Sequence, residues 1–240
     1  MAGEIVKLTE KDVHDAMSAM VPVLAEYQAD DKTVNDVLTS AKLAIAQSED
    51  LKSCFGTQAG KISLISALKL AVNTGLSLNP TEGKAALVPI GGKVNYWVMK
   101  NGLVELAMKT GLVETITADT VRANDTFVLK KMDTGDKFEF SPARKDRGEI
   151  DGFYAFARMK NGSSQMAYMT LSEIMEHRKA FSGRSQMPVE GYGMKTVLKK
   201  LLKNLAIGVG EIEEEIEYRK PSAGVSAVDL AERVNGGSDV

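Results

Sequence analysis

Cysteine and histidine are the scarcest chemistry in this 240-residue sequence, which holds one cysteine, Cys54, and two histidines, His14 and His177. A single thiol excludes an internal disulfide, and three such residues scattered along the chain exclude a zinc site of the usual Cys/His kind. Cys54 stands between Ser53 and Phe55 at the end of an apolar helical pattern, where a small buried thiol is expected rather than a nucleophile paired with histidine. No apolar run approaches the ~20 residues of a membrane span, and the start MAGEIVKLTEKD has no hydrophobic signal region. The expected location is the cytoplasm. Also missing are the P-loop, GxGxxG, HExxH and paired-cysteine motifs, so no ATP, dinucleotide or zinc cofactor is expected. Acidic residues cluster at Asp30-Asp31, Glu49-Asp50 and Glu211 to Glu217, but no histidine or strand end frames them as a metal-dependent nuclease site requires. Neither catalytic nor metal-binding residues are therefore assigned.

An excess of one charge is absent too: 30 basic residues against 32 acidic give a net charge of −2. The distribution is uneven. Gly191 to Asn204 holds four lysines and no acid, whereas Glu211 to Glu217 holds five glutamates and no base. Binding follows the local field rather than the total, so a polyanionic partner is not excluded.

With 44% hydrophobic residues the chain can build a proper interior. Its most informative stretch runs from Gly75 to Gly111. Ile62, Ile65, Leu68, Ala71 and Val72 recur at helical spacing, and Gly75 supplies the left-handed residue that closes such a helix. After the Asn79-Pro80 loop, Ala85 to Ile90 and Lys93 to Met99 read as strands joined by Gly91-Gly92, a pair suited to a tight hairpin turn. The second strand sets Val94, Tyr96 and Val98 on one face and Lys93, Asn95, Trp97 and Met99 on the other; either face fits a core, and as large aromatics both Tyr96 and Trp97 are expected inside. A helix carrying Leu103, Leu106, Ala107 and Thr110 follows, with Lys100 and Asn101 at its start and Gly111 at its end. Lys100 opposes the helix dipole unless an anion sits nearby.

Before this stretch, Thr9 caps an expected helix over Val13, Ala16, Met17 and Met20. Thr33 with Asp36 forms a loose capping box before Val34, Val37, Leu38, Ala41 and Ile45. This appendage docks on the core or on a neighbouring subunit. Beyond Gly111, strands are expected over 115–121, 126–131, 137–141, 150–159 and 165–169, with turns at Asp133 to Asp136 and at Asn161-Gly162 and a charged loop over 142–148. Thr170 to Glu173 is a capping box opening a helix toward Arg178. Phe181 to Gly191 reads either as a mobile loop or as a plain connector. In the last helix Met194, Val197, Leu198, Leu201 and Leu205 make an apolar stripe, with Lys195, Lys199, Lys200 and Lys203 grouped away from it. Such a face is ordinarily solvated, and a polyanion reverses its self-repulsion. The expected fold is α+β: mostly antiparallel hairpins flanked by helices, with a helical segment over 1–55, a core over 56–218 and a loosely ordered tail over 219–240.

The blocks Thr74-Gly75-Leu76, the Asn-Pro loop, Gly83 with the apolar strand to Pro89 and Gly91, the aromatic strand to Gly102, Lys109-Thr110-Gly111 and MKTVLKKLLKNL over 194–205 occur in one order. In these motifs, from about residue 32 to residue 217, the chain resembles the RecT family of phage and prophage single-strand DNA annealing proteins. Many relatives carry a basic residue directly before the glycine, where Asn101 stands here with Lys100 one earlier. The resemblance implies ATP-independent binding of single-stranded DNA and annealing through a duplex intermediate, by homo-oligomeric rings or helical filaments, in the cytoplasm of a bacterial host. It also implies an α+β annealing core, a partner exonuclease and contact with a host single-strand-binding protein. Taken with the charge pattern, DNA contact is expected at Lys84, Lys93, Lys100, Asn101, Arg178, Arg184, Lys195, Lys199, Lys200 and Lys203. Enzymatic turnover is not expected. A metal-dependent phage nuclease and a purely structural self-assembling protein are the alternatives.

Overall fold

The computed structural model describes Ser18 and residues 30–132, 135–182 and 187–205. Apart from Ser18, the expected helix over Val13 to Met20 lies outside these residues, as do the loop around Arg184 and the tail over 219–240. The described chain forms two compact units, the first ending at Gly102 and the second beginning at Leu103.

In the first unit, α1 (Asp31–Ala46), α2 (Glu49–Phe55) and α3 (Gln58–Thr74) precede the hairpin of β1 (Ala85–Ile90) and β2 (Lys93–Val98). The α1 stripe is buried as its spacing predicts: Val34, Val37, Leu38, Ala41 and Ile45 all lie inside. The cap differs from expectation. Asp30, not Thr33, caps α1, accepting from Thr33 N at 2.9 Å and Thr33 Oγ1 at 2.7 Å. A carboxylate one residue before the helix reaches the orphan amide that Thr33, already inside the first turn, has no geometry to satisfy. Ser48 and Thr57 cap α2 and α3, Gly75 closes α3 at φ 62°, and Cys54 is buried.

The β1–β2 pairing is antiparallel from Ala85↔Val98 to Ile90↔Lys93, with Gly91 and Gly92 at φ 59° and 75° in the turn. The core face is the one with Val94, Tyr96 and Val98, which meets α3. Two bonds stitch it there: Val94 N donates to Ser63 Oγ at 2.8 Å, and the Thr74 and Tyr96 hydroxyls lie 2.6 Å apart. Tyr96 is therefore core, whereas Trp97 falls on the opposite face, half-buried.

Helix α4 (Lys100–Lys109) carries the chain into the second unit, which contains β3 (Val113–Arg122), β4 (Thr126–Lys130), β5 (Lys137–Ser141), β6 (Ile150–Met159), β7 (Ser164–Thr170), α5 (Leu171–Ser182) and α6 (Val189–Asn204). All strand pairs are antiparallel, as expected, but they form separate sheets: β3-β6-β7 is one and the β4–β5 hairpin another. Strand β6 is covered on both faces. Its Phe153 side meets α6, where Gly193 makes the approach possible: a Cβ there would lie 2.5 Å from the Phe153 ring. Its Tyr154 and Phe156 side meets the hairpin, through Phe127 5.7 Å from Tyr154 and Phe138 4.5 Å from Phe156, within the range of favourable ring pairs. The second unit is thus layered as helices, sheet and hairpin.

Two ion pairs fix its loops. Arg147 grips Asp125 with two bonds, 3.0 and 2.6 Å, and donates to Thr120 O at 3.0 Å. The Asp125 side chain is wholly shielded and also accepts from the Arg122 and Ala143 amides. Arg147 holds its carboxyl well below the usual carboxylate range. Arg122 pairs with Glu190 in the first turn of α6 and donates to Gly148 O.

Candidate nucleic-acid interface

The ten residues assigned to DNA contact fall into three places and one undescribed position, Arg184. At the base of the β1–β2 hairpin, Lys84 and Asn101 both contact Glu82, and Lys100 directly precedes Asn101. Lys84 pairs with Glu82 at 2.9 Å, and Ser77 Oγ donates to the same carboxylate at 2.8 Å. These bonds, Lys84 first, hold the Glu82 carboxyl below its ordinary range. Asn101 Nδ2 donates to Glu82 O at 3.0 Å. That bond ties the loop after Asn79-Pro80 to the first turn of α4, so the asparagine has a local structural role. Gly102 is required by the same junction: a Cβ would stand 2.0 Å from Lys84 O, closer than any real side chain comes. Lys100 is half-buried at the helix start.

Lys93 is elsewhere. It is exposed at the turn end of β2, paired with Ile90, about 17 Å along the strand from Val98 at ~3.4 Å per residue.

The third place, in the second unit, brings the remaining cations together. Helix α6 begins at Val189, earlier than its lysines suggest, and buries Tyr192, Val197, Leu198, Leu201 and Leu202 against β6, β3 and β7. Lys195, Lys199 and Lys203 follow one another at i,i+4 and share a helix face. Lys200 and Lys203 are exposed, whereas Lys195 and Lys199 are half-buried, which their long apolar stems permit. Arg178 reaches this row from α5 by lying over the Tyr192 ring, 5.6 Å from the centroid.

Tyr192 and His177, which spacing did not single out, complete the arrangement together with Glu173 of the capping box. Tyr192 OH lies 2.8 Å from His177 Nδ1, joining α5 to α6. Burial, then the Lys199 charge, pushes the His177 pKa below its ordinary value. Glu173 makes the reciprocal capping bonds with Thr170, at 2.7 and 3.2 Å. Those bonds first, and Lys200 more weakly, lower its pKa. Glu173 thus brings an acid from α5 under the influence of Lys200. The only sequence signal for Tyr192 was its place four residues before Thr196 and three before Lys195, and for His177 its rarity.

Comparison with known proteins follows the same segments. The model of the RecT family matches residues 35–222, a span holding all three places. The protein YqaK of Bacillus subtilis strain 168 is 24% identical over 158 residues, which is 65% of this chain and 55% of the relative. Protein RecT of Escherichia coli strain K12 is 26% identical over 167 residues, 65% of this chain and 61% of the relative. The chain therefore spans little more than half the length of these relatives. With well over half of its residues inside the family match, the chain belongs to the RecT family.

Proposed function

We propose that this protein binds single-stranded DNA and promotes pairing of complementary strands in recombination, without ATP and as an oligomer, ring or helical filament, on the DNA. The observation that carries the reading is the family membership, joined to a cationic face of Arg178, Lys195, Lys199, Lys200 and Lys203 displayed on helices anchored to a sheet. Lysine and arginine hold phosphates irrespective of sequence, leaving recognition to Watson–Crick pairing between the strands. Lys84, Lys93, Lys100 and Asn101 are proposed as a second set of contacts, and Arg184 as an extension of the first.

No bond need be broken. Base-pair stacking supplies about 1.4 kcal/mol per step once two strands are aligned, so the protein's task is to gather and orient two polyanions rather than to turn over a substrate. A bacterial cytoplasm, an exonuclease that exposes the single strand and a host single-strand-binding protein are the setting this reading proposes. Among the described residues no helix is long and apolar enough to cross a membrane, and no three His, Cys, Asp or Glu side chains gather as a metal site.

The test is annealing of two complementary labelled oligonucleotides with no nucleotide present, at low salt and with rising salt. Acceleration over the spontaneous rate, lost steeply as salt releases the phosphate contacts, is the expected result. Shortened labelled strands in magnesium would instead mark a nuclease. Self-assembly indifferent to DNA would mark a structural protein.

A further inference from the structure

We infer that the outer face of the β1–β2 hairpin is a contact surface for the bases of a single strand, with Trp97 as its stacking platform and Lys93 as its phosphate anchor. The inference rests on the proposed single-strand binding and names a site for it.

The geometry begins with the pleat. Val94, Tyr96 and Val98 are spent on the core, so Lys93, Asn95 and Trp97 stand on the other face, opposite Ile90, Val88 and Ala86 in register. None of these six is fully buried: Lys93 and Ile90 are exposed, and the other four are half-buried. The face is apolar and aromatic at one end and cationic at the other. Lys93, Asn95 and Trp97 are spaced about 6.8 Å apart along the strand. That is about twice the ~3.4 Å rise per nucleotide of a stacked strand, so the row keeps step with every second nucleotide. An indole offers a face to any base, an amide offers one hydrogen bond, and an ammonium takes a phosphate, which together suit sequence-tolerant binding.

The face is also rigid. The Ser63 and Thr74 hydroxyls tie the strand to α3 at Val94 and Tyr96, and Asn95 Nδ2 reaches across to Val88 O at 3.4 Å. A single strand meeting Trp97 would therefore not have to order the platform first, which preserves affinity. This surface lies in the first unit, apart in sequence from the α5–α6 lysine face.

The test uses the full chain and a dT oligonucleotide, reading the emission of Trp97, the sole tryptophan. Quenching on titration is expected. Trp97→Leu should weaken oligonucleotide binding about tenfold with the salt slope unchanged, because stacking releases no counterion. Trp97→Phe should fall between. Lys93→Gln should retain the quenching but lower the salt slope by about one. Melting temperatures of all variants are compared with the parent; if Trp97→Leu does not fold, protection of parental Trp97 from acrylamide by the oligonucleotide decides the matter. Binding by the parent with no emission change or protection, or parental affinity in a folded Trp97→Leu, overturns this inference and leaves single-strand binding standing. An emission change that tracks protein concentration without DNA assigns the face to a second copy of the chain and also overturns it. Failure of the parent to bind the oligonucleotide sinks both readings together.

Discussion

The Arg178 guanidinium rests over the ring of Tyr192, and the same tyrosine's hydroxyl meets His177 one residue earlier on α5. One side chain thus clasps two helices and sets the arginine at the head of the lysine row. Tyr192→Phe keeps the ring and loses one hydrogen bond, which should cost about 1 kcal/mol. Tyr192→Ala empties a buried site and should cost about 3 kcal/mol or more. Urea denaturation measures both, and equal losses would show that the ring is not the clasp.

Lys200→Gln with Lys203→Gln is the cleanest test of the cationic face, because these two are exposed while Lys195 and Lys199 lay their stems on the helix surface. Each change should leave folding within about 0.5 kcal/mol of the parent. Single-strand affinity should drop for every oligonucleotide, with the salt slope smaller by about two. A double variant that melts normally and binds as tightly as the parent would show this face to be merely solvated.

His177 gives the face a pH signature. Its folded pKa lies below the ordinary histidine value because burial, and then Lys199, disfavour the charged ring. The unfolded chain therefore binds the proton first on acidification. The contribution to stability is complete above about 6.5 and is lost as pH falls from there toward the lowered folded value. In Lys199→Gln one of the two causes is gone, so the His177 resonance should titrate nearer its ordinary value and the acid loss of stability should shrink. Proton NMR and melting curves across this range check it. An unmoved resonance would remove Lys199 as a cause.

Arg147→Ala strands the carboxylate of Asp125, whose side chain is wholly shielded while that of Arg147 is 33% exposed. The expected loss is about 3 kcal/mol, the lower end of the range for an unpaired buried charge, since water can enter where the arginine leaves. In the parent, the depressed Asp125 pKa adds stability that is present above the usual carboxylate range and fades as pH falls below it. The variant should lose that acid-range slope. Guanidinium unfolding at several pH values below neutrality measures it.

What was legible beforehand is what a few neighbouring residues decide among themselves. Gly75 at the end of α3, the Gly91-Gly92 turn and the Thr170–Glu173 box all act within one turn of chain, so their types and spacing suffice. The stripe from Val34 to Ile45 is of the same kind. The lysine row was visible for the same reason, as a helical repeat. What folding decided involves partners far apart in sequence. A period of two states that Tyr96 and Trp97 face opposite ways, but which is inside depends on α3 supplying Ser63 and Thr74 to one side. Asp125 finds Arg147 across the charged loop, and Glu173 comes to Lys200 from another helix. Burial and local charge are sums over neighbours in space. The order of residues limits those neighbours, and only the packed chain selects them.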